Sequence, residues 1–391
     1  MSTTCKINFA DNLNVFYTGQ VIRGTVQLKL GDCIIIRSVS IQFFGVAHIE
    51  SAGNQLSSRT EIYLNSKLYL VGSDEDNSKP IRLLHGKHDY SFDCRIPAKL
   101  PTSVEGKYGH IRYIARIVLN LTSWPNQMKF EEPFTVIRPR DLNLHPSLGD
   151  PVIVRRNETF LSSNPLIMVA RLPVGGYVPG QTINLKLSVN NQSAETVLRF
   201  NVQMIKEIFY SIGPSDDQKR TETVTLYEAD TVGCDKKRDD IIFVNIPVPS
   251  VPPNDSCNII NIKYSVRIKG DMEDCLYSSP VLNIPLIIGT YPLKDGAVQT
   301  IASDLNEAMA PSDAPDEDKT IPSNCIVPSA PPMLSNFDDD SSAPEYQSEQ
   351  SFFPQDDPPT YEEAMMSDTE ANKFRPKYPM YGRQTSYSIG D

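Results

Sequence analysis

The chain has 391 residues, 37 Lys/Arg against 48 Asp/Glu, a formal net charge of −11, and 31 prolines. That length holds two or three domains, and so acidic a balance argues against the basic face that nucleic-acid binding requires. The charge is uneven: residues 292–391 carry 19 acidic and 6 basic side chains, whereas the first 291 carry 29 and 31.

The opening "MSTTCKINFADNLNVF" has no basic region followed by an apolar run, which argues against a signal peptide. The longest apolar stretch, "VLNIPLIIG" at 281–289, is too short to span a bilayer. Seven cysteines, at 5, 33, 94, 234, 257, 275 and 325, are odd in number and lack CxxC spacing. Disulfides and zinc are therefore poor readings, and a reducing, cytoplasmic setting fits. In that setting the glycosylation sequons at Asn120 and Asn254 read as chance.

Period-2 alternation dominates up to about residue 290. In "GTVQLKL", Val26, Leu28 and Leu30 face one way and Thr25, Gln27 and Lys29 the other. "HIRYIARIVLNL" aligns Ile111, Tyr113, Ala115, Ile117, Leu119 and Leu121; "TINLKLSV" aligns Ile183, Leu185, Leu187 and Val189. Long helical patterns are missing, so the expectation is all-β, with antiparallel sandwiches each burying one face per sheet.

The strands also repeat. "VFYTGQVIRGTVQLKL" (15–30) resembles "GGYVPGQTINLKLSV" (175–189), each with a Gly-Gln turn before an alternating strand. "RSVSIQFFGV" from Arg37 and "LRFNVQMIKEI" from Leu198 follow, and "IRYIARI" (111–117) resembles "IKYSVRI" (262–268), each after a Pro-containing turn. The offsets, 180−19 = 161 and 264−113 = 151, are nearly equal and the order is kept. Two copies of one β-domain are expected, over 1–145 and 146–291, joined near "IRPRDLNLHPSLGDP" (137–151).

Residues 292–391 have too little apolar content to offset the entropy of ordering and read as a disordered tail. Within it, Val298, Ile301, Leu305 and Met309 share a helical face, although a plain linker is the simpler reading.

Two tail motifs stand out. In "PPTY", Pro358 and Pro359 hold the polyproline II conformation that WW domains clamp between aromatic rings, and Tyr361 fits a second pocket. Thr360 and Glu363 form a capping-box pattern that brings Tyr361 and Met365 to one side. In "VPSAPPML", Pro328, Ser329, Ala330 and Pro331 resemble the tetrapeptide ligands of the ubiquitin-E2-variant domain of ESCRT-I. "APEY" (343–346), "RPKY" (375–378) and "YPMY" (378–381) keep Pro-x-Tyr but lack the first proline, and rank as auxiliary WW ligands at most.

The two β-copies, with "VFYTGQVIRG" early, "IPAKLPTSVEGKYGHIRYIARIVL" late in the first copy and a PPxY tail, resemble the α-arrestins. These are the arrestin domain-containing proteins, a family that includes thioredoxin-interacting protein. The likeness spans about residues 5–290 plus the tail motif, and Gly106–Tyr113 is its most specific folded part. It implies two seven-stranded, Ig-like sandwiches with a concave face between them. α-Arrestins often carry two PPxY motifs, and this chain has one intact copy.

Catalytic and cofactor motifs are missing: no GxSxG, Walker or GxGxxG pattern occurs. His85, His88 and Asp89 in "HGKHD" lack a third ligand and read as a loop before the strand "DYSFDCRI". Asp74, Glu75 and Asp76 read as an exposed hairpin loop rather than a calcium site. Cys234 has basic neighbours in "GCDKKRDD" that favour a thiolate, yet reads better as a plain loop cysteine.

The expected function is that of a non-enzymatic endocytic adaptor without a cofactor or metal. The body would engage a membrane receptor or transporter on its cytoplasmic face, reaching plasma membrane and endosomes through partners. The tail would present Pro358, Pro359 and Tyr361 to a WW-domain HECT-type ubiquitin ligase, and the PSAP motif to ESCRT-I. The alternative is a cytosolic signalling scaffold or redox-linked regulator that sequesters a soluble partner.

Overall fold

A computed structural model describes residues 3–10, 14–50, 58–75, 79–123, 126–160, 164–213, 219–255, 257–274, 278–294 and 374–381. Where the sequence alternates, the structure forms strands with one face buried. Val26, Leu28 and Leu30 on β3 (Val21–Leu30) are at most 3 % exposed, and Ile183, Leu185, Leu187 and Val189 on β14 (Thr182–Asn191) at most 2 %. On β9 (Gly109–Leu121) the residues Ile111, Tyr113, Ala115, Ile117 and Leu119 are buried, while Leu121 at the strand's end is only half covered. Burying an aliphatic side chain contributes roughly 1.5–3 kcal/mol, and this pattern is kept strand after strand.

The first sandwich packs a three-stranded sheet, β1 (Thr4–Phe9), β3 and β7 (Gly86–Arg95), against a larger one. The latter runs β2 (Val15–Tyr17), β10 (Gln127–Ile137), β9, β4 (Ile34–Ile49), β5 (Arg59–Gly72), with β6 (Ile81–Leu83) on β4 and β8 (Val104–Gly106) on β9. In the second sandwich, β11 (Val152–Glu158), β12 (Leu166–Leu172), β14 and β17 (Arg238–Pro247) form one sheet. The other runs β13 (Gly176–Tyr177), β19 (Val281–Ile288), β18 (Ile260–Met272), β15 (Val197–Ser211), β16 (Lys219–Cys234). The orders match strand for strand, β1-β3-β7 with β12-β14-β17 and β2-β10-β9-β4-β5 with β13-β19-β18-β15-β16, down to the parallel pairing of each short strand. The chain is thus all-β, a duplicated sandwich. Its described strands number ten and nine rather than the seven apiece that the resemblance implies. The excess consists of two- and three-residue strands plus β11, an edge strand without a counterpart in the first copy.

The duplicated sequence blocks have physical roles. At both Gly-Gln turns the glycine has positive φ, +88° at Gly19 and +97° at Gly180, where a side chain would be strained. The following glutamine closes the turn each time: Gln20 Oε1 accepts from Tyr17 N and Gln181 Oε1 from Val178 N, both at 2.9 Å. The tyrosines of "IRYIARI" and "IKYSVRI" are buried and donate to a proline carbonyl twelve residues upstream, Tyr113 to Pro101 and Tyr264 to Pro252, each at 2.7 Å. Burial raises both phenol pKa values; negative charges add to this at Tyr113 and the neighbouring Tyr378 at Tyr264. Pro133 on β10 and Pro285 on β19 lie beyond the reach of the short strands β2 and β13, so no ladder bond is lost there.

Between the sandwiches, two short 3-10 turns, Leu142–Leu144 and Pro146–Gly149, precede β11. Leu142 is fully buried against the end of the second sandwich, where a Cβ on Gly289 would strike its side chain.

Three local readings of the sequence change. The strand β7 begins at Gly86, so His88 and Asp89 stand on it, pairing in register with Leu28 and Gln27 rather than forming a loop. Asp74 is not a free loop carboxylate: Lys67 donates to it at 2.6 Å, Tyr69 at 3.0 Å, Asn120 at 2.5 Å, and Ser38 closes the group. Asp76 lies outside the described residues. Cys234 ends β16 and is 2 % exposed; burial, with Asp240 and Asp235 nearby, pushes its thiol up to about 12, so it is inert.

Burial alone would raise the Asp74 pKa, but the bonds from Lys67, Ser38 and Asn120 outweigh it and hold it at about 2. A carboxylate depressed from the ordinary 3.8 contributes stability above that value and loses it as pH falls towards 2. In acid titrations followed by circular dichroism, Asp74→Asn should therefore be the less stable protein at neutral pH. The gap should narrow between pH 4 and 2; a constant gap would mean that the charge of Asp74 does not matter.

Candidate functional site

The two sandwiches meet along a seam built from the connector and from loops of both copies. Arg138 follows directly on β10, and its guanidinium pairs with Asp255 at 2.8 Å while also donating to the carbonyls of Lys99 and Leu100. Asp255 also accepts from the backbone N–H of Thr102 at 2.7 Å, so one carboxylate of the second sandwich ties two segments of the first. Arg140 donates to the Asn254 carbonyl at 3.0 Å. Asn254 itself accepts from Ile288 N, spending its side chain as a staple. These groups, with Lys263 and Tyr264, line a cleft of about 450 Å³.

A second contact explains the most specific stretch of the first copy. β8 ends on Gly106, just before the turn to β9, where a Cβ would collide with the Tyr210 hydroxyl and the Glu222 carboxylate of the second sandwich. Lys107 N donates to Glu222 at 2.7 Å, and so does the Tyr210 hydroxyl. The Tyr108 ring packs edge-on against Tyr210 at 5.7 Å, with Arg220 over its face. A third contact joins Asn258 to Glu61 at 3.1 Å, beside the Arg59–Glu61 ion pair.

The third feature is a C-terminal segment, residues 374–381, lying on the body. Lys377 N donates to Thr135 Oγ1 at 3.1 Å and the Tyr378 hydroxyl to the Ser103 carbonyl at 2.8 Å, both on the first sandwich. On the second, Ser250 Oγ donates to the Tyr378 carbonyl at 2.7 Å, and Tyr381 N to the Pro179 carbonyl at 2.7 Å. Tyr17, Ile137, Val178 and Val251 line the pocket shared with Tyr378 and Pro379. Burial drives the Tyr378 phenol pKa up, so it stays a protonated donor.

This placement bears on "RPKY" and "YPMY": the Tyr378 they share is bonded to the body, whereas Tyr381, the Pro-x-Tyr tyrosine of "YPMY", is 59 % exposed. Pro358, Pro359 and Tyr361 lie outside the described residues, as do Pro328, Ser329, Ala330 and Pro331, the "APEY" stretch and the helical face from Val298 to Met309. His48 and His110 have ring centroids 5.6 Å apart, yet no group of three metal-ligating side chains occurs among the described residues. The five described cysteines, Cys5, Cys33, Cys94, Cys234 and Cys257, are free. No helix among the described residues is long and apolar enough to cross a membrane.

Sequence patterns missed the seam. Arg138 and Asp255 sit in Pro-rich segments that read as linker and turn, and nothing local couples positions 117 residues apart.

Tandem sandwiches locked by side chains, with a peptide laid across the joint, define the class of two-domain β-sandwich proteins. Residues 5–143 match the family model "Arrestin (or S-antigen), N-terminal domain", and residues 162–293 match "Arrestin (or S-antigen), C-terminal domain". The chain belongs to the arrestin family, in its α-arrestin branch. It is 24 % identical to the rat arrestin domain-containing protein 1 over 337 residues, covering 84 % of this chain and 71 % of that one. Arrestin domain-containing protein 17 of Caenorhabditis elegans is 25 % identical over 309 residues, 73 % of this chain and 70 % of the relative. The rat thioredoxin-interacting protein is 25 % identical over 386 residues, 92 % of this chain and 94 % of the relative.

Proposed function

We propose that the chain is a cytoplasmic adaptor that couples a membrane receptor or transporter to a WW-domain HECT-type ubiquitin ligase, promoting cargo ubiquitination, endocytosis and endosomal sorting. The observation that carries this reading is Pro358-Pro359-Thr360-Tyr361 in the acidic segment that follows an arrestin body. The mechanism is a raised effective concentration: ligase and cargo held on one chain react as if intramolecular. The PSAP motif adds a handover to ESCRT-I. No bond is made or broken by the chain itself, which reaches plasma membrane and endosomes through its partners.

The test is proximity labelling and cargo turnover in cells, comparing the intact chain with Tyr361→Ala. Ligases should drop out of the labelled set while cargo stays, and cargo loss should slow to the rate seen without the adaptor. Pro331→Ala should weaken binding to the ESCRT-I domain in calorimetry and spare WW binding, because 358−331 = 27 residues separate the motifs; equal loss to both partners would refute independent motifs.

The nearly end-to-end match to thioredoxin-interacting protein favours a second reading, a scaffold or redox-linked regulator that sequesters a soluble partner. That activity would survive Tyr361→Ala.

A further inference from the structure

We infer that the groove across the seam is a peptide-binding site for a Tyr-Pro segment, filled in cis by residues 374–381, and that the same class of peptide binds there in trans when the segment lifts. The inference concerns the folded body and stands apart from the ubiquitin-ligase reading.

The recognition is divided in the way peptide grooves divide it. Three of the five hydrogen bonds use the segment's backbone, Lys377 N, Tyr378 O and Tyr381 N; the others come from the Tyr378 hydroxyl and from the exposed Lys377 ammonium, which donates to Asn14 Oδ1 at 3.5 Å. The backbone bonds are indifferent to side chains and hold any extended peptide. Specificity falls on two residues. The Tyr378 hydroxyl meets the Ser103 carbonyl, where Ser103 is itself fully buried, so a residue without that donor leaves the acceptor unmet. Pro379 forms one wall of the pocket that Tyr17, Ile137, Val178 and Val251 close from the body side; lacking an N–H, it needs no acceptor there, and with Pro376 it restricts the free peptide.

The groove is asymmetric in a way that marks it as built. The two Gly-Gln turns are structural equals, yet a Cβ on Gly19 would meet nothing nearer than Ala98 at 3.9 Å. One on Gly180 would fall 2.5 Å from the Tyr381 carbonyl oxygen. The segment lies on the second copy's turn and passes the first copy's by.

Docking also has a chemical consequence. With its hydroxyl bonded inside the groove, Tyr378 is withheld from modification, and a phosphate on that oxygen removes the donor that Ser103 receives. Docked and phosphorylated states of Tyr378 therefore exclude one another.

A fluorescent peptide of residues 373–383 tests this on the full-length chain by fluorescence anisotropy. It should bind the Tyr378→Ala chain at least ten-fold more tightly than the unsubstituted chain, whose groove is already occupied. The same peptide phosphorylated on its Tyr378 should bind neither. Trypsin supplies an independent readout, because Arg375 precedes proline and Lys377 offers the cleavable bond. Cutting after Lys377 should be several-fold faster in Ser250→Ala, an exposed substitution that loses one bond to the segment and spares the core. Equal peptide affinity for both chains, no binding to Tyr378→Ala, tight binding of the phosphopeptide, or unchanged cleavage in Ser250→Ala would each overturn the inference.

Discussion

A peptide spanning residues 352–368 is expected to bind isolated WW domains with micromolar affinity, roughly −7 to −8 kcal/mol. Tyr361→Ala is expected to cost about 2 kcal/mol or more, some thirty-fold, as the loss of a buried aromatic anchor. Phosphorylated Tyr361 should do at least equal harm, because two added charges would meet an apolar pocket beside Glu362 and Glu363. Thr360→Ala should cost up to about 1 kcal/mol, through the capping turn alone. In cells, Tyr361→Ala should abolish ligase co-recovery. Of the rival Pro-x-Tyr sites, "RPKY" has its Tyr378 engaged on the body, while "YPMY" keeps an exposed Tyr381. Undiminished ligase recovery by the Tyr361→Ala chain would move the role elsewhere and end the proposal.

The largest stability effects are expected at the two corner tyrosines, Tyr264 and Tyr113. Tyr264 is 2 % exposed and bonded to Pro252, and it sits between the cleft at the seam and the docked segment. Tyr264→Ala removes a ring from a close-packed core and should destabilise by ~3–5 kcal/mol, with a melting temperature lower by roughly 10 °C. Tyr264→Phe keeps the ring and leaves the Pro252 carbonyl without its donor, at a cost of about 1–3 kcal/mol. Tyr113→Ala, the equivalent change in the first copy, should match Tyr264→Ala. Urea titrations of the four proteins decide it: a Tyr264→Ala loss below about 1 kcal/mol would show that the corner tyrosine is not a structural anchor.

Strand alternation made the sandwich class legible because one-sided burial writes itself into period 2, and the shared Gly-Gln and Tyr blocks made the duplication legible. What stayed hidden is non-local. The sheet order follows from pairing between strands far apart in sequence, and β11 has no counterpart to betray it. Asp74 looks like any loop acid until Ser38 and Asn120, 36 and 46 residues away, are brought to it. Arg138 reads as linker because its partner Asp255 lies in the other copy. Tyr378 is the instructive case: its Pro-x-Tyr context pointed to a partner's WW domain, whereas a carbonyl 275 residues upstream receives its hydroxyl. A short motif states what a peptide can bind, and says nothing of which surface reaches it first.

Fastening residues 374–381 to the body sets a second anchor for Tyr361 along the chain, besides residue 294. Lys294 N is held by Asn143 at one end and Lys377 N by Thr135 at the other. Tyr361 lies 374−361 = 13 residues from the near anchor and 361−294 = 67 from the far one. At ~3.5 Å per residue, the near anchor keeps the motif within about 45 Å of the groove, against some 230 Å from the far anchor alone. Lifting eight residues would therefore lengthen that reach about five-fold without altering either motif, so the segment that hides Tyr378 also sets the distance Tyr361 can stand from the groove.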